Sequence, residues 1–127
     1  MKTIGIIGSR TRDTEKDFHK VWKVFSKIYE DGDIICSGGC KKGGDRFAEI
    51  IMNRLNLPEN ERSIHYPKKP SKGSPYYMYV KANFDRNLLI ARDSDILIAC
   101  CNLEKDGGTE HTIKNYLKLG KKELYKV

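Results

Sequence analysis

The stretch TIGIIGSR, residues 3–10, is short, apolar and punctuated by glycine, which predicts a buried β-strand over residues 3–8. Residues 14–30 follow with a helical period, and Thr14 is the predicted N-cap. The lysines of this helix fall on one face and its large apolar side chains on the other: Lys16, Lys20, Lys23 and Lys27 against Phe18, Val21, Trp22, Phe25 and Ile28. A buried strand followed by an amphipathic helix is typical of α/β proteins.

The same strand-then-helix order continues along the chain. Further strands are predicted over residues 34–36, 63–66, 95–100 and 123–127, and further helices over residues 44–55, 78–93 and 109–119. In the helix over 78–93, the side chains expected to face inward are Val80, Phe84, Leu88 and Ala91. Strict alternation predicts an α/β fold: one three-layer, Rossmann-like domain over residues 1–127, with a five-stranded parallel sheet of order 3-2-1-4-5 between two layers of helices.

Composition and charge favour a protein that binds an anion and argue against a membrane-spanning or secreted protein. The chain has 24 Lys and Arg residues against 17 Asp and Glu residues, a formal net charge of +7, which suits an anionic ligand or nucleic acid. Nucleic acid is not favoured, because no exposed aromatic residues interleave with the lysines of the first helix. No apolar run approaches the roughly 20 residues that span a bilayer, and the N-terminus lacks a secretory pattern. We therefore expect a cytoplasmic protein with no membrane partner.

The cysteines do not predict a metal site. Cys36 and Cys40 are separated by three residues, and Cys100 and Cys101 are adjacent, whereas common zinc sites use tighter paired spacings. We expect Cys36 and one of the adjacent pair to be small buried side chains. Neither a metal nor a cofactor is predicted.

Glycine-containing segments follow three predicted strands, at the sheet edge where such folds bind ligands. They are Gly8-Ser9-Arg10, then Ser37-Gly38-Gly39 with Gly43-Gly44-Asp45, and finally Asp106-Gly107-Gly108-Thr109-Glu110, which overlaps a predicted polar loop over residues 102–108. Glycine lets a backbone approach a ligand closely, and the free N–H groups that begin a helix favour phosphate. The candidate ligand-binding residues are Gly8, Ser9, Arg10, Gly38, Gly39, Gly44, Asp45, Asn87, Gly107, Gly108 and Thr109. The alternative is that these glycines only form tight turns.

Two arginines are predicted near this edge. Arg10 directly follows the central strand, and counting back from Asp93 along the helix places residues 82–86, with Arg86, at the mouth of a pocket. The guanidinium fork suits phosphate. The alternatives are a mobile surface position for Arg10 and an ion pair of Arg86 with Asp85 or Asp93.

Other polar and aromatic residues near the edge have two interpretations each. Asp45 either binds a ribose hydroxyl or favours the start of its helix. His111 is interpreted as structural rather than catalytic. The tyrosines that follow the proline-rich loop form a lid over a base, a dimer contact or a packing cluster, of which packing is favoured: Tyr76, Tyr77 and Tyr79.

The order of these motifs resembles the SLOG superfamily, and most closely its small YAcAr-type branch. The superfamily also includes LOG-type nucleotide phosphoribohydrolases and DprA proteins. The resemblance covers residues 3–126 and rests on Gly8-Ser9-Arg10, Ser37-Gly38-Gly39, Gly43–Ala48, Arg86-Asn87, residues 95–99 and Gly107-Gly108-Thr109. It implies a Rossmann-like sheet with a site for nucleotides or their derivatives.

The resemblance also bears on catalysis. LOG enzymes cleave the base–ribose bond with an Arg, which corresponds to Arg86, and with the Glu of a Gly-Gly-x-Gly-Thr-x-x-Glu motif. Here the third residue after Thr109 is Thr112, and threonine cannot replace a carboxylate in that reaction. We therefore predict binding or sensing of a phosphorylated, nucleotide-derived ligand. The alternatives are an N-glycosidase with Arg86 and a displaced Glu110 or Glu49, and a DprA-like DNA-binding domain; the helix around Tyr76–Phe84 is a candidate homodimer contact.

Overall fold

Strands and helices alternate in the computed structural model, which describes residues 1–101 and 107–127. The elements are β1 (Thr3–Gly8), α1 (Glu15–Ile28), β2 (Ile34–Ser37), α2 (Gly44–Arg54), a short 3-10 helix (Glu59–Glu61), β3 (Arg62–Ile64), α3 (Tyr76–Asp93), β4 (Ile96–Cys100), α4 (Gly107–Lys118) and β5 (Leu124–Lys126). All strand pairs are parallel, and the sheet has the order β3-β2-β1-β4-β5. The predicted α/β fold and strand order are confirmed.

β1 is the central strand of the sheet. It pairs with β2 on one side, where Ile4 lies opposite Ile35, and with β4 on the other, where Ile4 lies opposite Ile96. Because the chain leaves β1 toward one side of the sheet and later returns to the other, the switch point lies between β1 and β4. A ligand crevice is expected at the carboxyl ends of these two strands.

Helices cover both faces of the sheet and bury two separate cores. On one face, α1 and α2 contribute Phe25, Phe47 and Ile51, each at most 1% exposed. On the other face, α3 and α4 contribute Ile90, Ala91 and Tyr116. Successive residues of a strand point to opposite faces, so both cores are built on the same apolar strands.

The start of α1 agrees with the sequence prediction, whereas the starts of α3 and α4 differ from it. Thr14 caps α1 as predicted: its hydroxyl accepts the N–H of Asp17, whose carboxylate accepts the N–H of Thr14 in return. α3 begins at Tyr76, two residues before the predicted start, because Pro75 has the extended conformation that precedes a helix. α4 begins at Gly107 rather than Thr109, so the two glycines form its first turn instead of a loop. Asp106 and the other residues of the predicted loop at 102–106 lie outside the described residues.

The inward face of α3 differs from the predicted one. Phe84 and Leu88 are 38% and 43% exposed, so the prediction that they face inward is wrong. Ala91 is buried as predicted, and the other buried residues of α3 are Asn87 and Ile90. Asn87 can occupy this inward position because its amide forms hydrogen bonds there, which apolar periodicity does not reveal.

The four cysteines are free thiols. Cys36 and Cys100 are buried, as predicted for Cys36 and one of the adjacent pair. Burial raises the pKa of Cys36 to about 12 and that of Cys100 to about 11, so both stay protonated at neutral pH. Among residues 1–101 and 107–127, no group of His, Cys, Asp and Glu side chains is placed to hold a metal ion. None of the helices in these same ranges is both long and apolar enough to cross a membrane.

Candidate functional site

A cleft of 480 Å³ lies at the carboxyl edge of the sheet. Its walls are the end of β1, the loop before α2, one side of α3 and the first turn of α4. Of the predicted ligand-binding residues, those that line it are Gly8, Ser9, Arg10, Asp45, Asn87, Gly107, Gly108 and Thr109, together with Arg86. The structure therefore brings together residues from four separate segments of the chain.

Three other predicted glycines do not line this cleft, and packing accounts for each of them. A Cβ atom at Gly44 would lie 2.1 Å from the carbonyl carbon of Ile7, so glycine lets α2 approach β1. At Gly38 a Cβ atom would lie 2.5 Å from Nη1 of Arg86. Gly39 has a φ of +73° and lies against the ring of Tyr66, away from the cleft.

Gly107 and Gly108 show no such close contact with the residues that the structure describes. Gly108 does not have a positive φ, and a Cβ atom at either glycine would have no atom of the described residues within 4 Å. Glycine within a helix costs about 1 kcal/mol relative to alanine. Packing among the described residues does not account for these two glycines, and without side chains they leave their backbone N–H groups open to close approach by an anion.

Arg86 and Asn87 form a hydrogen-bonded bridge across the cleft. Nη1 of Arg86 donates to the carbonyl oxygen of Gly38, and its Nε donates to Oδ1 of Asn87 at 2.9 Å. Nδ2 of Asn87 donates to the carbonyl oxygen of Gly108 at 3.3 Å. Asn87 is 5% exposed. The bridge therefore connects the loop after β2 with the first turn of α4 through α3.

The alternative ion pairs of Arg86 are absent among the residues that the structure describes. Asp85 accepts a hydrogen bond from Nζ of Lys81 at 3.0 Å. Asp93 instead pairs with His65 at 2.8 Å and with Arg92. The interpretation of Arg86 as a partner of Asp85 or Asp93 is therefore wrong.

Asp45 organises the loop after β2. One of its oxygens accepts the N–H of Gly38 at 3.1 Å, and the other accepts the N–H of Cys40 at 3.0 Å. Burial raises the pKa of Asp45, although these two hydrogen bonds and the charge of Arg86 oppose the shift. Asp45 also lies in the first turn of α2, where the helix dipole favours a carboxylate. It is the one carboxylate among the described residues that line the cleft.

The loop that carries Arg10 is anchored on both sides of the cleft. Nη1 of Arg12 donates to the carbonyl oxygen of Cys101 at 2.7 Å. Asp13 accepts the N–H of Gly43 at 2.8 Å. Arg10 itself is exposed and lines the cleft, so its side chain can move while its backbone is held in place.

Sequence reasoning missed several residues that line the cleft. Lys42 adds a third cation beside Arg10 and Arg86, so the charges of the described lining favour an anion. The only signal for Lys42 was its place in the lysine pair between two glycine motifs. Val80 of α3 was also missed, whereas Asn83 and Phe84 lie within residues 82–86, which were predicted at the pocket mouth, and Tyr76 is one of the tyrosines for which a lid was an alternative.

The aromatic residues do not pack as expected. Tyr76 and Tyr77 are 82% and 68% exposed, so the favoured interpretation of a packing cluster is wrong for both. Tyr76 stands at the wall of the cleft. Phe84 stacks on His111 with 4.0 Å between ring centroids, and burial lowers the pKa of His111. A neutral, stacked ring fits a structural role for His111 better than proton transfer.

The predicted catalytic carboxylates, Glu110 and Glu49, are not among the described residues that line the cleft, although Thr109 and Thr112 are. Glu110 is half-buried in the first turn of α4, and Glu49 is exposed on α2. Thr112, at the position of the LOG glutamate, is 2% exposed, and its hydroxyl donates to the carbonyl oxygen of Gly108 at 3.0 Å. This hydroxyl is engaged within α4 and offers no negative charge to a reacting sugar.

Comparison of the chain with protein-family models, with curated proteins and with solved structures gives no match. The resemblance to the SLOG superfamily therefore stays a prediction.

Proposed function

We propose that the cleft binds a phosphorylated, nucleotide-derived ligand and that the protein is a cytoplasmic binding or sensing module. One observation carries the proposal: Gly107 and Gly108 open α4 with no described residue packed where their side chains would be, at a cleft that also holds Arg10, Lys42 and Arg86. Free thiols suit the reducing cytoplasm.

The phosphate is placed at the first turn of α4. The first N–H groups of a helix have no partner within the helix, and the helix dipole adds partial positive charge there. Without side chains at Gly107 and Gly108, a phosphate oxygen can reach these N–H groups. Arg10 and Lys42, which also line the cleft, neutralise the remaining charge, and Arg86 is held in position by Gly38 and Asn87.

The remaining space suits a sugar and a base. The cleft volume of 480 Å³ falls within the range of about 300–1,000 Å³ that is common for small-ligand sites. Tyr76, Val80 and Phe84 give α3 an apolar and aromatic wall on which a base can stack. Asp45 is the candidate partner of a ribose hydroxyl, in addition to its hydrogen bonds to the loop.

Catalysis is not part of the proposal. Cleavage of a base–ribose bond needs a carboxylate at the reacting carbon, and both oxygens of Asp45 already accept backbone N–H groups. N-glycosidase activity with Glu110 or Glu49, DNA binding and a homodimer through the exposed residues of α3 remain predictions.

Thermal denaturation with a panel of nucleosides, nucleoside 5′-monophosphates and inorganic phosphate tests the proposal. Monophosphates should raise the Tm, since a ligand that binds only the folded state stabilises it, whereas the nucleosides should not. Chromatography of the same mixtures should detect no released base. Lys42→Gln should weaken the effect, and its neighbour Lys41→Gln, which does not line the cleft, is the matched control. A Tm that responds to none of the monophosphates would contradict the proposal.

A further inference from the structure

A second cavity lies on the opposite side of α3 from the cleft. This outer groove has a volume of 620 Å³ and runs between α3 and the segment that follows β3. The segment supplies Tyr66, Lys68 and Lys69, and α3 supplies Met78 and Lys81. The groove is separate from the glycine-lined start of α4 and was not predicted from the sequence.

The outer groove is strongly basic. Its described lining contains Lys68, Lys69, Lys81 and Arg86 against the single carboxylate of Asp85, a net charge of 4 − 1 = +3. Asp85 is engaged by Lys81 at 3.0 Å. Lys68 and Lys69 are exposed, and no ion pair joins them to any residue within 1–101 or 107–127. Two cations are therefore available to an incoming anion.

Tyr66 provides a flat surface beside these lysines. Its side chain is 67% exposed, yet its ring is held close to the backbone of Gly39, where a Cβ atom would lie 2.5 Å from Cε1 of the ring. An exposed aromatic ring is suited to stacking on a base, and flanking cations suit the phosphate of the same nucleotide unit.

Arg86 joins the two cavities, because it lines both of them. Its Nη1 and Nε donate to Gly38 and Asn87, which holds the guanidinium at the boundary between cleft and groove. A phosphate that bridges two nucleosides would meet this guanidinium on its path from one cavity to the other.

We propose that the ligand is a dinucleotide: its 5′-phosphorylated unit occupies the cleft, and its second nucleotide unit occupies the outer groove. The second base stacks on Tyr66, and Lys68 and Lys69 bind, together with Arg86, the phosphate that joins the two units. This inference rests on the proposed function, since it needs the first unit to bind in the cleft.

Calorimetric titration of the full chain with nucleoside 5′-monophosphates and the corresponding 5′-phosphorylated dinucleotides tests the proposal. Dinucleotides should bind at least about tenfold more tightly than monophosphates. The double variant Lys68→Gln/Lys69→Gln should weaken dinucleotide binding about five- to tenfold, as two exposed charge contacts suggest, and leave monophosphate binding unchanged. Lys72→Gln/Lys122→Gln removes the same charge outside the groove and is the matched control.

Each other outcome has a distinct meaning. Equal affinities for monophosphate and dinucleotide would overturn the dinucleotide assignment and leave the proposed function intact. The dinucleotide assignment would also be overturned if Lys68→Gln/Lys69→Gln weakened monophosphate and dinucleotide binding equally. The same holds if both double variants weakened dinucleotide binding equally, since the lysines would then act only through their general charge. Affinity that keeps rising from a dinucleotide to a six-nucleotide strand would assign the surface to single-stranded nucleic acid instead. Absence of any monophosphate binding would remove the proposed function and this inference together.

Discussion

Nη1 of Arg86 donates a hydrogen bond to the carbonyl oxygen of Gly38, 48 residues away in the chain. This contact ties α3 to the loop after β2, and the neighbouring bond from Nε to Asn87 fixes the plane of the guanidinium. Arg86 is thus held at the wall of the cleft before a ligand arrives. A group positioned in advance loses less conformational entropy on binding, which favours affinity.

Arg86→Lys should weaken nucleotide binding about ten- to hundredfold, because lysine keeps the charge but cannot hold both hydrogen bonds and face a phosphate. Calorimetric titration with nucleoside monophosphates measures the change. Arg92→Lys, on the exposed side of the same helix, is the control. Equal affinity of Arg86→Lys and the unmodified chain would show that Arg86 has only a structural role.

Asn87→Ala should lower the free energy of unfolding by about 1–3 kcal/mol, because it removes a buried amide and leaves hydrogen-bonding groups of Arg86 and Gly108 without that partner. Urea denaturation gives the value. Asn83→Ala is the matched control on the same helix, since Asn83 lines the cleft but its side chain forms no hydrogen bond within the described part of the chain. If both variants lost the same free energy of unfolding, the claim that the hydrogen bonds of Asn87 stabilise the fold would be contradicted.

Gly107→Ala should raise the free energy of unfolding by about 0.5–1 kcal/mol and weaken phosphate binding at the same time. The gain is expected because a Cβ atom meets no described neighbour there and alanine is the better helix former. Binding should weaken because the methyl group covers the backbone that a phosphate would approach. Gly44→Ala provides the contrast: its Cβ atom would overlap Ile7, and a loss of about 1–3 kcal/mol or more is expected. If Gly107→Ala were more stable and bound the nucleoside monophosphate as tightly as the unmodified chain, Gly107 would have no role in phosphate binding.

Asp45 and Asp33 should give stability profiles of opposite sign with pH. Burial raises the pKa of Asp45, so the folded state holds the proton of this carboxyl more tightly than the unfolded state does. The contribution of Asp45 to the free energy of unfolding is therefore lost as pH rises above about 3.9, the pKa of an unperturbed aspartate. Burial also acts on Asp33, but the hydrogen bonds from Lys2 and Glu30 outweigh it and lower its pKa. The contribution of Asp33 is therefore present above about pH 3.9 and lost as pH falls below it.

Urea denaturation of Asp45→Asn and Asp33→Asn from pH 3 to pH 7 measures these contributions as differences from the unmodified chain. The advantage of the unmodified chain over Asp45→Asn should shrink with rising pH. Its advantage over Asp33→Asn should grow. If both differences in the free energy of unfolding changed with pH in the same direction, the opposite pKa shifts of Asp45 and Asp33 would be contradicted.

The sequence was sufficient for the architecture and for one edge of the site. Apolar runs such as residues 3–8 and the capping signal at Thr14 are local, and strict alternation leaves few topologies. The positions of Arg10 and Thr109 at one cleft follow from that topology. The orientation of α3 did not follow, because Asn87 depends on a hydrogen bond to Gly108, 21 residues away, and Arg86 on one to Gly38, 48 residues away, and no periodicity records such contacts. The same holds for Tyr76 and Tyr77, whose exposure depends on how α3 packs.

The distinction among the glycines also needed three-dimensional contacts. In sequence, Gly38, Gly44, Gly107 and Gly108 are equivalent candidates. Only the neighbours of each Cα separate glycines required by packing, as at Gly44, from those that packing does not explain. Lys42 was likewise indistinguishable from Lys41 until the cleft was known.

The most direct test of the account is whether a nucleotide phosphate contacts the first turn of α4. In a ¹H–¹⁵N correlation titration with a nucleoside 5′-monophosphate, the amide signals of Gly107, Gly108 and Thr109 should show the largest shifts. The signals of Gly38 and Gly39, which do not line the cleft, should shift less. Saturable binding that leaves the three α4 amides unmoved, or no binding at all, would contradict the central claim.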